Sequence, residues 1–129
     1  MEYEMLIQES DGATFTEETT YCEGIRTAIV QSRYCLVPMV TLRAAPYSLE
    51  YGDLVVAVFR ARNAIGWSAW SSVNGVGALV QTQPFTAFTP APTRGARTDH
   101  TRVEVAWAAM TLPSETGGSP VTSYNLEWD

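Results

Sequence analysis

The chain contains no lysine: its eight basic residues are all arginine, set against fourteen carboxylates for a net charge of −6. No stretch gathers those arginines into a cluster, so a phosphate backbone, which needs several cations on one face, finds no footprint. Nucleic acid is not an expected partner. No apolar run approaches the ~20 residues that cross a bilayer as a helix, so no membrane insertion is expected of this segment. Met1 is followed by Glu2-Tyr3-Glu4 rather than by a basic and then apolar leader. The single histidine, His100, lies in Thr98-Asp99-His100-Thr101. A Ser-His-Asp arrangement can be written down from the many serines, but no nucleophile elbow accompanies it, and no catalytic residue is assigned. Cys-x-x-Cys is missing, and two cysteines with one distant histidine make no structural zinc site. No cofactor or metal is expected. Asn-x-Ser/Thr sequons are missing too, since Asn63, Asn74 and Asn125 are followed by Ala-Ile, Gly-Val and Leu-Glu.

What is present is enough for a folded domain. The 129 residues are 46% hydrophobic, which places the chain among folded rather than disordered sequences and gives it room for a real core. Cys22 and Cys35 bracket twelve residues. A disulfide there is worth ~3 kcal/mol on the loop-entropy model, and two buried free thiols are the other state open to them. The acidic residues Glu2, Glu4, Glu9, Asp11, Glu17, Glu18 and Glu23 lack the Asp-x-Asp-x-Asp-Gly spacing of a calcium loop and read as a solvated surface. Glycines at Asn74 to Gly77 and at Gly117-Gly118 lack the lysine and following helix of a phosphate loop, and read as turns.

Alternation supplies the secondary structure. Tyr3, Met5 and Ile7 fall on one side of an extended chain and Glu4, Leu6 and Gln8 on the other, ending at Ser10-Asp11-Gly12. Thr14 to Tyr21 reads as an edge strand kept soluble by Glu17 and Glu18. Cys22 to Arg33 is either one helical turn or a stapled loop. Cys35 to Leu42 reads as a strand interrupted by Pro38. Leu54 to Ser72 is the central hairpin: Val55, Ala57, Phe59 and Ala61 on one face, Val56, Val58, Arg60 and Arg62 on the other, with turn chemistry at Asn63 to Gly66 and the start of a second strand after it. Ala78 to Thr82 continues as strand. Pro84, Pro90 and Pro92 in a Thr-rich run read as an extended linker, Arg102 to Trp107 as a strand with Val103, Val105 and Trp107 inward, and Val121 to Asp129 as another.

Ala61-x-Asn63-x-x-Gly66-x-Ser68, after an apolar strand and a Leu49-x-x-Gly52 corner, resembles the F strand, F–G turn and G strand of fibronectin type III domains. Trp67-Ser68-Ala69-Trp70-Ser71 has the form of the WSxWS box of cytokine receptors. That resemblance implies that Arg60 and Arg62 stack on Trp67 and Trp70 in a cation–π ladder, and that Trp67, in a Trp-x-x-Trp pattern, is a C-mannosylation acceptor. Gly117-Gly118-x-Pro120-x-x-Tyr124-x-Leu126 resembles the B–C loop and C strand of the same family. With Cys35-Leu36-Val37-Pro38-Met39, the ensemble is similar to the type III repeats of large multi-repeat surface proteins of ciliates and other protists.

The resemblance implies an all-β, immunoglobulin-like β-sandwich split across two incomplete domains: strands C to G in residues 1–83, a Pro-rich linker in 84–97, and strands A to C of the next in 98–129. Its core positions are Phe59, Trp107, Tyr124 and Leu126, and Tyr47, Leu49 and Tyr51 pack at the corner of the sandwich, close to where this architecture often places a tyrosine that bonds back to the backbone. The expected function is a non-catalytic structural or adhesive repeat at the cell surface or outside the cell. Its expected partners are copies of itself or neighbouring repeats, with head-to-tail strand complementation as one mode and glycans as a further class. A receptor-type module that binds a ligand or carbohydrate through its exposed aromatics is the alternative.

Overall fold

The computed structural model describes residues 1–85 and 91–127. They form a β-rich fold of small antiparallel sheets with three short helices, and the chain divides into two units, Met1–Val80 and Gln81–Asp129. Residues 86–90 of the expected linker, and Trp128 and Asp129 of the expected last strand, lie outside the described residues.

In the first unit the alternating N-terminal segment becomes β1 (Glu2–Gln8), flanked by β2 (Phe15–Glu17) and, across the α-helices α1 (Thr27–Ser32) and α2 (Met39–Arg43), by β3 (Ala57–Arg62). The sheet order is β2-β1-β3, both pairings antiparallel. The β1–β3 register sets Tyr3 opposite Ala61, Met5 opposite Phe59 and Ile7 opposite Ala57, while Glu2 meets Arg62 and Glu4 meets Arg60. Because side chains alternate along a strand, one face of this pair is apolar and the other carries matched opposite charges.

β1 turns into β2 through Asp11, whose carboxylate accepts the backbone N–H groups of Ala13 and Thr14 and the Thr14 hydroxyl. These bonds hold its carboxyl below the ordinary value of 3.8, the Thr14 hydroxyl contributing most. Past β2 the outer edge of β1 is met by Gly24, whose carbonyl accepts the Tyr3 N–H. A Cβ at Gly24 would overlap the Tyr3 carbonyl, so only glycine allows this approach.

The region between the cysteines resolves as α1, ended by Arg33 in the left-handed conformation (φ 60°) with its N–H on the Ile29 carbonyl. The strand expected at Cys35 to Leu42 is instead α2. Pro38, read above as an interruption, stands in extended conformation just before the helix, where a proline costs no backbone bond. One turn of helix then drops Leu42 into the core. That core comprises Ile7, Leu42, Tyr47, Leu49 and Val80, with Met5, Val37, Met39, Tyr51, Val55 and Ala57 packed against it. Val80 is fully buried and returns beside the chain at Asp53, donating to the Asp53 carbonyl while accepting from Gly52. The strand expected from Ala78 reduces to a single bridge, Leu54 with Leu79.

In the second unit the ladders are shorter. β4 (Thr93–Arg94) pairs with β5 (Val105–Ala106), so the strand expected over Arg102 to Trp107 is confined to two residues, and residues 121–127 join no ladder. Between them α3 (Pro113–Thr116) begins with a proline at its first position. Glu115 reaches back to accept the N–H groups of Thr111 and Leu112, and Gly117 ends the helix at φ 68°. The Gly117 carbonyl accepts from Thr82, and the Glu115 carbonyl from Phe85.

Candidate functional site

Beyond the turn at Asn63 to Gly66, the chain expected to be a plain second strand runs beside β3 by a different device. The Ser68 N–H donates to the Ala61 carbonyl while the Ser68 hydroxyl accepts the Ala61 N–H. The Ser71 N–H and hydroxyl repeat this on Phe59. Asn74 continues the series with its side chain alone, Oδ1 accepting from Ala57 and Nδ2 donating to Val55. Three residues of the edge are spent for two of β3, so the edge winds with a three-residue repeat, as in a polyproline-II chain, rather than lying flat. Side-chain oxygens stand in for backbone carbonyls, and the backbone groups of β3 are satisfied without a ladder.

The same repeat brings Trp67 and Trp70 onto one side, over the charged face of β1 and β3. The Arg60 guanidinium lies 4.5 Å from the Trp67 ring and 4.4 Å from Trp70, and its Nε donates to Glu4 Oε2 at 2.6 Å. Arg62 sits 5.6 Å from Trp67 and 3.3 Å from Glu2. The expected ladder of Arg60, Arg62, Trp67 and Trp70 is therefore present as geometry, with Arg60 its centre: one cation between two π faces and a half-buried carboxylate. Both guanidinium groups are paired with a carboxylate across the strands, which ties this face of β1 and β3 together.

The opposite face of the sheet is open. Phe59, central on β3, is 57% exposed. It lines a groove of about 560 Å³ together with Tyr3 and Met5 from β1 and Ile29, Tyr34 and Cys35 from the segment that follows β2. Cys22 and Cys35 are joined as a disulfide, which anchors that segment as one wall. Ile7 belongs to the core, and Met5 and Ala57 pack against it from the same face.

Glu18 was expected in solution and is instead 4% exposed. Its Oε1 accepts the Thr20 and Tyr21 N–H groups and its Oε2 the Tyr47 hydroxyl at 3.0 Å. Burial, and then this bond to a carboxylate, raise the Tyr47 phenol well above its ordinary value of 10.0. Tyr47 thus bonds to a side chain on β2's exit rather than back to the backbone. Nothing in the local sequence separates Glu18 from Glu17. The signal lies in the partner twenty-nine positions away.

The remaining candidates fall into place singly. His100 is exposed, and the neighbouring Asp99 is taken up by the Thr101 N–H and hydroxyl and by Arg102. Among the described residues no group of three or more histidine, cysteine or acidic side chains is placed to hold a metal. Of the acidic residues weighed for calcium, Glu9 bonds to Thr16 and Glu23 to Arg26, while Glu2 and Glu4 face arginines.

The four expected core positions are all exposed: besides Phe59, Trp107, Tyr124 and Leu126 are each more than 40% accessible. Trp107 and Tyr124 do meet, with ring centroids 5.7 Å apart and tilted, and with Leu126 and Pro92 they line a small hollow. The buried core is built from Ile7, Leu42, Tyr47, Leu49 and Val80 instead. Comparison of the chain with protein-family models, with curated proteins and with solved structures finds no match.

Proposed function

We propose that the chain is a non-catalytic structural segment of an extracellular or cell-surface protein, similar to fibronectin type III repeats, and that it works by presenting an apolar sheet face for a further β layer to cover. The observation that carries this reading is the groove around Phe59. A sheet that is apolar on one face needs a second layer against it, and an exposed apolar surface of this kind marks an interaction site.

The type III resemblance is supported by the order β2-β1-β3 followed by the serine-bonded edge, which corresponds to strands C′, C, F and G. The disulfide fits an oxidising compartment. The Arg60 ladder acts as a stiff, closed back to the sheet, leaving the other face for assembly.

The test is a dye that fluoresces on apolar surface, such as anilinonaphthalene sulfonate, with amide hydrogen exchange read in parallel. The dilute chain binds the dye, Phe59→Asp abolishes the signal without unfolding the chain, and Phe59 exchanges faster than Ile7. A folded chain that binds no dye and protects Phe59 as fully as Ile7 overturns the reading.

A receptor-type reading is favoured by one feature. Ile65, at the tip of the turn after β3, is 95% exposed, and Met1, Arg62 and Trp67 form a hollow beside it. Titration with oligosaccharides or peptides, followed by indole fluorescence of Trp67 and Trp70, separates the two: saturable quenching favours the receptor.

A further inference from the structure

We infer that the groove around Phe59 binds an amphiphile with one negative charge, such as a fatty acid, its carboxylate on Arg33 and its apolar chain along the sheet face. The inference rests on the open face of the reading above and names a ligand that competes with a further layer for it.

The groove has the size and lining of a small-molecule site. Its volume of about 560 Å³ lies within the range of about 300–1,000 Å³ that such sites occupy, with mostly apolar walls and a few polar groups that fix orientation. Tyr3, Met5, Ile29 and Phe59 supply apolar walls. Two charged side chains, Glu4 and Arg33, line it as well. Glu4 is already taken, because Arg60 donates to its Oε2 at 2.6 Å. The charge that the groove has left to offer is Arg33.

Arg33 differs from the other arginines of the chain. Arg26, Arg60, Arg62, Arg97 and Arg102 are each paired with a carboxylate. Arg43 donates to the Tyr51 hydroxyl and Arg94 to the Thr98 carbonyl. The Arg33 guanidinium has no ion pair, hydrogen bond or ring contact among the described residues. Nor does any carboxylate occur between Gly24 and Leu49, a stretch that holds Arg26, Arg33 and Arg43.

The backbone points the same way. Arg33 ends α1 in the left-handed conformation at φ 60°, a place that helices usually give to glycine because a side chain is strained there. Strain of this kind collects at binding sites. The wall that carries Arg33 is fixed in advance: the disulfide ties Cys35 to Cys22, and the Gly24 carbonyl accepts from Tyr3 of β1. A prepared wall loses little entropy on binding, and a planar guanidinium holds a carboxylate through two parallel N–H bonds. One free cation beside an apolar groove therefore selects one negative charge with an apolar tail.

Amide resonances of the full chain, followed during titration with octanoate and with octanol, test this. The two probes share an apolar chain and differ in charge. Octanoate is expected to shift the amides of Met5, Tyr34 and Phe59 saturably and to bind at least ~10-fold tighter than octanol, the effect of one charge-assisted contact. Arg33→Gln and Arg33→Gly remove that preference: octanoate binding weakens ~10-fold and octanol binding stays. Both variants fold, since Arg33 is exposed and glycine suits its conformation.

Equal binding of octanoate and octanol, unchanged in the Arg33 variants, overturns the inference and leaves the docking-face reading standing. So does a chain that binds the apolar dye at Phe59 and neither probe. A chain that binds neither the probes nor the dye overturns both.

Discussion

The two units of this chain are held together by different forces. Residues 1–80 contain every buried hydrophobic side chain among the described residues: Ile7, Cys22, Leu42, Tyr47, Leu49 and Val80. The described residues of 81–129 contain none, and their order comes from polar turns: Asp99 on Thr101, Glu104 on Arg97, and Glu115 capping α3. Apolar burial contributes roughly 1.5–3 kcal/mol per large side chain, whereas a net hydrogen bond contributes about 1 kcal/mol. The first unit therefore sets its own stability, and the second has apolar side chains still to bury.

The largest effect that would break this contrast comes from core truncation. Ile7→Ala or Leu49→Ala is expected to cost about 2–5 kcal/mol and to unfold the first unit in mild denaturant. Leu126→Ala in the second unit, where the residue is 44% exposed, is expected to cost less, under ~1 kcal/mol in the dilute chain. Urea titrations followed by amide resonances of each unit measure both. Equal losses would mean that the second unit has a core of its own.

Next in size is the disulfide. Replacing Cys22 and Cys35 by serine is expected to cost about 2–4 kcal/mol, again only in the first unit. Because Cys35 and Tyr34 wall the groove, the same change weakens dye binding there, while β4 and β5 keep their amide protection. Thermal unfolding with and without reductant gives the first quantity, and dye titration the second.

How far these features were legible in the sequence follows from the range of the forces involved. β1 and β3 were readable because strict alternation over six or seven residues reflects a local pleat. The ladder of Arg60, Trp67 and Trp70 was readable through the resemblance of Trp67-Ser68-Ala69-Trp70-Ser71 to the WSxWS box, which implies arginines of the preceding strand stacked on the tryptophans. The edge after Gly66 was misread as a strand, since serine hydroxyls at every third position mimic the backbone and alternation is the wrong period there. α2 was misread because Pro38 breaks a strand and precedes a helix equally well, and only the burial of Leu42 decides between them. Glu18 was illegible for a similar reason: its burial depends on Tyr47, which the fold rather than the sequence brings near.

A smaller effect sharpens the description of the ladder. Arg60→Lys keeps a cation near Glu4 but gives up the planar group that lies between two indoles, and is expected to cost about 0.5–2 kcal/mol. Arg62→Lys, whose cation is farther from its ring and more exposed, is expected to cost under ~0.5 kcal/mol. Melting temperatures of the two variants, together with the near-ultraviolet indole signal, decide between a centred and an evenly shared ladder. Equal shifts would refute the central role of Arg60.

The smallest effects are in pH, and Tyr47 and the hydrogen-bonded carboxylates have opposite signs. Tyr47 holds its proton more tightly when folded, by burial and by its bond to Glu18. Its contribution to stability is therefore complete below the ordinary tyrosine value of 10.0 and declines as pH rises beyond it, the unfolded chain losing that proton first. In the second unit three carboxylates are held below their ordinary values: Asp99 by the Thr101 hydroxyl, Glu104 by the Arg97 N–H and side chain, and Glu115 by the Leu112 and Thr111 N–H groups. Their contribution is present above 3.8 for Asp99 and 4.5 for the glutamates, and is lost as pH falls through the lower folded values. Asp11 adds a term of the same sign to the first unit. Hydrogen exchange should therefore show the turns at Asp99 and α3 loosening first in acid while the Ile7 core holds, and protection around Tyr47 failing first in alkali. Core amides that open in acid before those of Thr101 and Leu112 would reverse the assignment of burial to one unit and polar turns to the other.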